Sequence, residues 1–268
     1  MSIHAVPIDK GAKAAFASDT RPAALFGQGG HEPYARSLPL GLGRLTLRPE
    51  SALPESIGPV TFSMLRWSAP ATVGERDLLR TLRGPVLDVG CGPGRMLEAA
   101  REQGLASLGV DSSAAAVQLA TDRGGAAILG SIFDPVPHER GWGSALLLDG
   151  NIGIGGNIRV LLERVASLLA PGGQVLAEAE TPDSLDVAYL AVLEDSDGHA
   201  SAAFPWARAG ANALALHAAR AGLDCVARRT VQRRVFLTLE LRPENPTAAT
   251  AATAATTRTS QKTPRACA

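Results

Sequence analysis

Two acids close short apolar runs in this chain, and small residues follow each of them. Asp88 lies in Val86-Leu87-Asp88-Val89, which breaks into Gly90-Cys91-Gly92-Pro93-Gly94-Arg95. Asp111 ends Ala106-Ser107-Leu108-Gly109-Val110-Asp111, with Ser112 and Ser113 behind it. A buried strand that runs through a glycine turn into a helix lets a ligand approach bare backbone. Pro93 sits near that helix start, where its missing N–H costs little. The free N–H groups of the first helical turn face whatever fills the crevice. Asp111 follows Asp88 by 23 positions (111 − 88). An acid near this separation accepts hydrogen bonds from ribose hydroxyls in doubly wound nucleotide folds. The pair therefore points to a cofactor with an adenosine-type part.

Spacing separates the cofactor classes. A dinucleotide turn reads Gly-x-Gly-x-x-Gly/Ala, the last small residue allowing close helix–strand packing. Counted from Gly90 and Gly92, that position falls on Arg95, and the third glycine arrives one residue early at Gly94. The stretch 86–95 resembles the first motif of the class I S-adenosylmethionine (SAM)-dependent methyltransferases, a hydrophobic run followed by Asp/Glu-x-Gly-x-Gly-x-Gly. The resemblance extends over residues 72–241. It implies a SAM site built from Asp88, Gly90, Cys91, Gly92 and Gly94, with Asp111 and Ser112 at the ribose. Ser131, Ile132 and Phe133 then fall at the adenine, Ser131 standing where the family commonly has Asp.

The family's variable catalytic motif maps to Leu148-Asp149-Gly150-Asn151-Ile152-Gly153-Ile154-Gly155-Gly156-Asn157. Asp149 and Asn151 are the candidate catalytic residues, Asp149 also beside the cofactor. The glycines of this segment leave room for an anion-binding backbone nest. Glu178 and Glu180 share one face of the fifth strand by alternation, and His199 is a candidate general base. The implied reaction is direct transfer of the methyl group to a small-molecule acceptor. A non-catalytic SAM-binding module and a nucleotide-dependent oxidoreductase are the competing readings.

The elements that must position these residues alternate in type. Helical patterns span 72–82, 96–103, 114–123, 158–169 and 212–221; strand patterns span 86–89, 106–111, 126–129, 145–148 and 174–180. Two β-rich runs, joined near Gln232-Arg233-Arg234, occupy 223–241 without a helix between them. Strands alternating with helices imply a parallel sheet covered on both faces. The expected fold is α/β: a doubly wound, mostly parallel, seven-stranded Rossmann-like sheet with an antiparallel last strand. Before it lie a mobile arm (1–32) and an irregular cap (33–71); the methyltransferase domain spans 72–243, and an Ala/Thr-rich disordered tail (244–268) follows. The excursion 182–208 is expected to close over the acceptor together with the cap.

Composition narrows the partners. The 26 Lys and Arg balance 26 Asp and Glu, and no basic run is interleaved with aromatics, so nucleic acid is not expected. Three cysteines, Cys91, Cys225 and Cys267, form neither a disulfide framework nor a metal spacing; no metal is expected. No apolar run approaches a membrane span. Asp9, Lys10 and Lys13 interrupt any early signal-like stretch, which suggests a cytoplasmic protein. Nothing in the sequence sets an oligomeric state.

Overall fold

The computed structural model describes residues 24–53 and 57–243. A short helix α1 (Pro33–Ser37) and a 3-10 turn (Leu38–Leu40) lead into β1 (Arg44–Pro49), β2 (Val60–Ser63) and α2 (Met64–Ser68). Then come α3 (Val73–Leu79), β3 (Val86–Val89), α4 (Arg95–Glu102), β4 (Ser107–Asp111), α5 (Ala114–Asp122), β5 (Ala127–Leu129) and β6 (Trp142–Leu147). A 3-10 turn (Asn151–Gly156) precedes α6 (Ile158–Leu168) and β7 (Leu169–Ala179). The chain finishes with β8 (Asp186–Asp195), β9 (Phe204–Ala209), α7 (Ala211–Arg220), β10 (Leu223–Val231) and β11 (Arg234–Leu241).

Seven strands form the main sheet in the order β10-β11-β7-β6-β3-β4-β5. The pairs from β7 to β5 are parallel, while β11 runs antiparallel to both β7 and β10. This is the expected doubly wound sheet with its reversed last strand. The chain moves outward from β3 through β4 to β5, then returns to β6 on the other side of β3. Where strand order reverses in this way, the strand ends leave a crevice for a ligand.

Both faces are covered because the strands are apolar on both sides. Leu87, Val89, Ala145, Leu147, Val175 and Ala177 pack beneath α6 and α7. Val86, Leu146, Leu148 and Leu176 meet α3 and α4 on the opposite face. Asp88 alternates with Leu87 and Val89 and so points to the α3/α4 side, where it is 4% exposed. Thr72 and Glu75 start α3 with a reciprocal capping box.

The cap differs from expectation. The sequence suggests an irregular cap with short strands or turns over 33–71 and a separate excursion over 182–208; the two combine into one four-stranded antiparallel sheet, β2-β1-β8-β9. Sequence-distant strands pair here, with Leu45 opposite Asp195 and Leu47 opposite Leu193. Leu45, Leu47, Leu193, Phe204 and Trp206 bury a second core. Residues 24–32 also pack against it: Phe26 lies 5.2 Å from the Tyr34 ring and 5.0 Å from Trp206. The remainder of the expected arm (1–23) and the tail (244–268) fall outside the described residues.

Gly94 shows how tightly the glycine turn is held. Its φ is +82°, and a Cβ there would lie 2.7 Å from Ala120 Cα in α5. A non-glycine residue held in the left-handed region costs on the order of 1–3 kcal/mol before any clash. Gly94→Ala should therefore lower stability by about 2 kcal/mol or more in denaturant titration; a change within experimental error would show that α5 can move away.

Candidate functional site

A cavity of about 350 Å³ opens over the glycine turn, at the carboxyl ends of β3 and β4. Its base is Val89 to Pro93 and Asp111 with Ser112; Gly130, Ser131, Ile132 and Phe133 form one wall. Gly90 (φ +70°) and Gly92 (φ +53°) hold the turn in the left-handed region, where glycine carries no Cβ penalty. Asp111 is fixed from several directions. Its Oδ2 accepts from the Gly92 N–H at 2.9 Å and its Oδ1 from the Ser113 N–H at 2.9 Å. The Tyr34 hydroxyl lies 3.5 Å from Oδ2. Burial raises the Asp111 pKa, with the Ser113 and Gly92 N–H bonds opposing it. A carboxylate has about four lone-pair sites, so Asp111 keeps acceptor capacity toward the cavity.

Two expected cofactor residues stand elsewhere. Asp88 and Gly94 do not line the cavity. Asp88 is turned under the sheet, and burial pushes its pKa up to about 7 against the pull of the Arg95 guanidinium. Gly94 serves the close approach of α4 to α5. Cys91 does line the cavity, its thiol pKa raised by burial and by Asp88 and Asp111. That suppresses the thiolate and leaves a small packing group. Phe133 is 41% exposed with its ring over Gly155, Ile132 is buried at 3%, and the Ser131 hydroxyl accepts from the Phe133 N–H at 3.2 Å.

The two candidate catalytic residues are both committed to the protein. Asn151 Nδ2 donates to Val89 O at 2.8 Å and Gly90 O at 2.9 Å. It braces the glycine turn. Asp149, in the left-handed region at φ 54°, receives Arg95 Nη2 on Oδ2 at 2.5 Å and Arg234 Nη2 on Oδ1 at 2.9 Å. Arg66 approaches Oδ1 at 3.7 Å, and the Asp149 N–H donates to Glu178 Oε2 at 2.7 Å. The expected anion nest is not formed by Gly153 and Gly156: Trp206 and Pro205 press against their backbone. These glycines allow β9 to pack onto the turn.

The arginines were not legible as site residues. Arg95 also reaches Glu75 Oε2 at 2.6 Å, and Arg234 reaches Glu75 Oε1 and Glu178 Oε2, each at 2.5 Å. Burial alone would raise the Glu75 pKa; Arg95, the Thr72 N–H and Arg234 outweigh it and hold the carboxyl down at about 2. A buried Arg in a turn signals a carboxylate partner. Its identity was hidden by separations such as the 159 residues between Glu75 and Arg234.

Glu178 and Glu180 border a second cavity of about 280 Å³, with Phe62, Arg66, Trp67, Asp149 and Gly150. Trp67 and Asp149 line both cavities. His199 lines neither and pairs instead with Asp195 Oδ2 at 3.1 Å. Asp195, Asp197 and His199 form a trio of ligand-type atoms that spacing alone did not reveal, bonded to one another within the turn after β8.

Residues 87–177 match the family model for a methyltransferase domain. The fold is similar to that of a SAM-dependent methyltransferase from Bacteroides fragilis solved with S-adenosyl-L-homocysteine. The TM-score is 0.62 at 18% identity, covering 78% of this chain and 92% of that one. It is also similar to the CcbJ methyltransferase from Streptomyces caelestis, with a TM-score of 0.50 at 17% identity and coverage of 66% and 92%. No curated protein matches the chain by sequence. No helix among the described residues is long and apolar enough to cross a membrane.

Two measurements follow from the buried charges. Arg234→Met leaves Glu75 and Asp149 sharing Arg95 and leaves Glu178 without its guanidinium partner, and should cost about 3–5 kcal/mol in denaturant titration. A loss below about 1 kcal/mol would show the network to be solvent-screened. Asp88 has the opposite linkage, because its folded pKa of about 7 lies above the usual 3.8. The folded state binds the extra proton, so stability falls as pH rises from about 4 to about 7 and levels off above. Asp88→Asn removes that slope: its melting temperature relative to wild type should climb across this window, and a pH-independent difference would refute the assignment.

Proposed function

We propose that this chain transfers the methyl group of SAM to a small-molecule acceptor, the cofactor lying over the glycine turn and the acceptor in the second cavity. The single observation that carries the reading is that the two cavities share Asp149 and Trp67 as walls. A donor in one and an acceptor in the other then meet at one boundary.

The residues present fit SAM. Gly90 to Gly92 offer bare backbone, Asp111 has acceptor sites for ribose hydroxyls, and Ser112 lies beside it. Ile132 and Phe133 would flank the adenine, with Ser131 as its polar neighbour. Bound SAM supplies a methyl carbon activated by the sulfonium charge. The protein contributes binding and alignment, which can provide roughly 7–11 kcal/mol of barrier lowering when the reacting atoms are held in line. Asp149 holds a fixed negative charge at the boundary between the cavities. Asn151 keeps the turn carbonyls in place. Both oxygens of Asp149 are already engaged by guanidinium donors, so its role here is orientation and electrostatics rather than proton removal. The modest size of the second cavity, about 280 Å³, and its aromatic lining of Phe62 and Trp67 suit a small acceptor.

Thermal stabilisation by S-adenosylhomocysteine, with NADH as control, tests the cofactor. Ligand at about a hundred times its Kd should add about 2.7 kcal/mol to the folded state. The shift should be absent with NADH and strongly reduced in Asp111→Ala. A shift with NADH alone would replace this reading by an oxidoreductase; binding of S-adenosylhomocysteine without turnover on any acceptor would leave a non-catalytic module.

A further inference from the structure

The second cavity has a one-sided hydrogen-bonding character. Its walls hold three carboxylates: Asp149, Glu178 and Glu180, whose side chains are 18%, 15% and 25% exposed. Each is ion-paired, but the arginines that pair them most closely stand behind the wall. Arg95 and Arg234 hold Asp149, Arg234 holds Glu178, and Arg208 holds Glu180 through Nε at 2.8 Å and Nη2 at 2.6 Å. None of these three guanidinium groups lines the cavity. Among the described residues the one cation that does is Arg66, which is half exposed and 3.7 Å from Asp149.

These pairings orient the carboxylates without saturating them. Each has about four lone-pair sites, and the bonds above leave capacity on all three. The positive partners offset much of the acids' charge, so net charge is not the cavity's main criterion. The cavity selects by hydrogen-bond direction: its polar surface accepts far more than it donates. The remaining walls add a second criterion. Phe62 and Trp67 stack with ring centroids 4.9 Å apart and planes 30° from parallel. Aromatic faces beside carboxylates favour a cation or a polarised N–H over an anion.

From this lining we infer that the second cavity binds an amine-bearing small molecule, making the acceptor an amine. The inference rests on the proposed methyltransferase reading and names its substrate class. The amine enters with its N–H groups toward Asp149, Glu178 and Glu180 and its carbon body against Phe62 and Trp67. In its methylation the nitrogen lone pair forms the new carbon–nitrogen bond. The carbon–sulfur bond breaks with its electron pair going to sulfur, and one proton leaves nitrogen for water. An acceptor that offers only oxygen anions would meet three carboxylates and one loosely held arginine.

The test is equilibrium binding by calorimetry, without turnover. The probes are benzylamine and tyramine against benzyl alcohol and benzoate, each in the presence of saturating S-adenosylhomocysteine. The amines should bind at least about tenfold more tightly than the alcohol or the acid, the ratio expected for one desolvated cation–π or charged hydrogen-bond contact. Phe62→Leu leaves the ion pairs intact and should weaken amine binding several-fold with S-adenosylhomocysteine binding unchanged. Glu180→Gln should do the same by removing one charged acceptor. Benzoate binding better than the amines, an alcohol binding equally, or amine affinity unaffected by both variants would overturn the inference. Failure of S-adenosylhomocysteine to bind, with selective amine binding retained, would instead remove the methyltransferase reading and leave an amine site.

Discussion

Two arginines and three carboxylates, none more than 18% exposed, meet at the end of the main sheet. Arg95 and Arg234 bridge Glu75, Asp149 and Glu178, and with the outer Arg66 the charges sum to zero. Such a cluster is costly to desolvate and adds less to stability than its contacts suggest. Its value is registration. Arg95 opens α4, Glu75 starts α3, Asp149 follows β6, Glu178 ends β7 and Arg234 begins β11. A shift of any one element would leave a charge buried without its partner. The constraint thus sets where the strand ends stand relative to one another, and both cavities are spaces left between those ends.

The β10–β11 hairpin shows what this registration requires. Its turn residues Gln232 and Arg233 both have positive φ, at 49° and 68°, without glycine. That conformation matches the twist of a two-residue hairpin but is disfavoured for these residue types. The turn carries Val231 against Gly74 of α3 and delivers Arg234 to Glu75. Local backbone preference gives way to the electrostatic contact.

A second sheet roofs the cofactor cavity, and aromatic rings tie it down. Phe26, Tyr34, Phe62, Trp67, Phe204 and Trp206 form one connected set of ring contacts. Gln28 adds a polar tie, its Nε2 donating to Ser112 O at 2.6 Å. In a chain with 4% aromatic residues, this concentration marks where shape is needed beyond what small aliphatic residues supply. Because Trp67 and Phe62 belong to the set, the roof of the first cavity and the wall of the second are packed together.

The amino-acid sequence by itself determined the elements whose signals are local. The glycine turn, the acid at the end of β4, the alternation of helices and strands, and the helix-free final pair were all legible from 86–95, 106–111 and 223–241. Period, capping and turn chemistry act within a few residues, so they survive in one dimension. The tertiary structure alone decided the rest. It joined 33–71 to 182–208 as one sheet and seated residues 24–32 on the cavity. It turned Asp88 away from that cavity and gave Asn151 and Asp149 to turn carbonyls and arginines. Ion pairs and antiparallel pairing across more than a hundred residues depend on distance in space, and no local spacing encodes which of the 26 basic and 26 acidic side chains will meet.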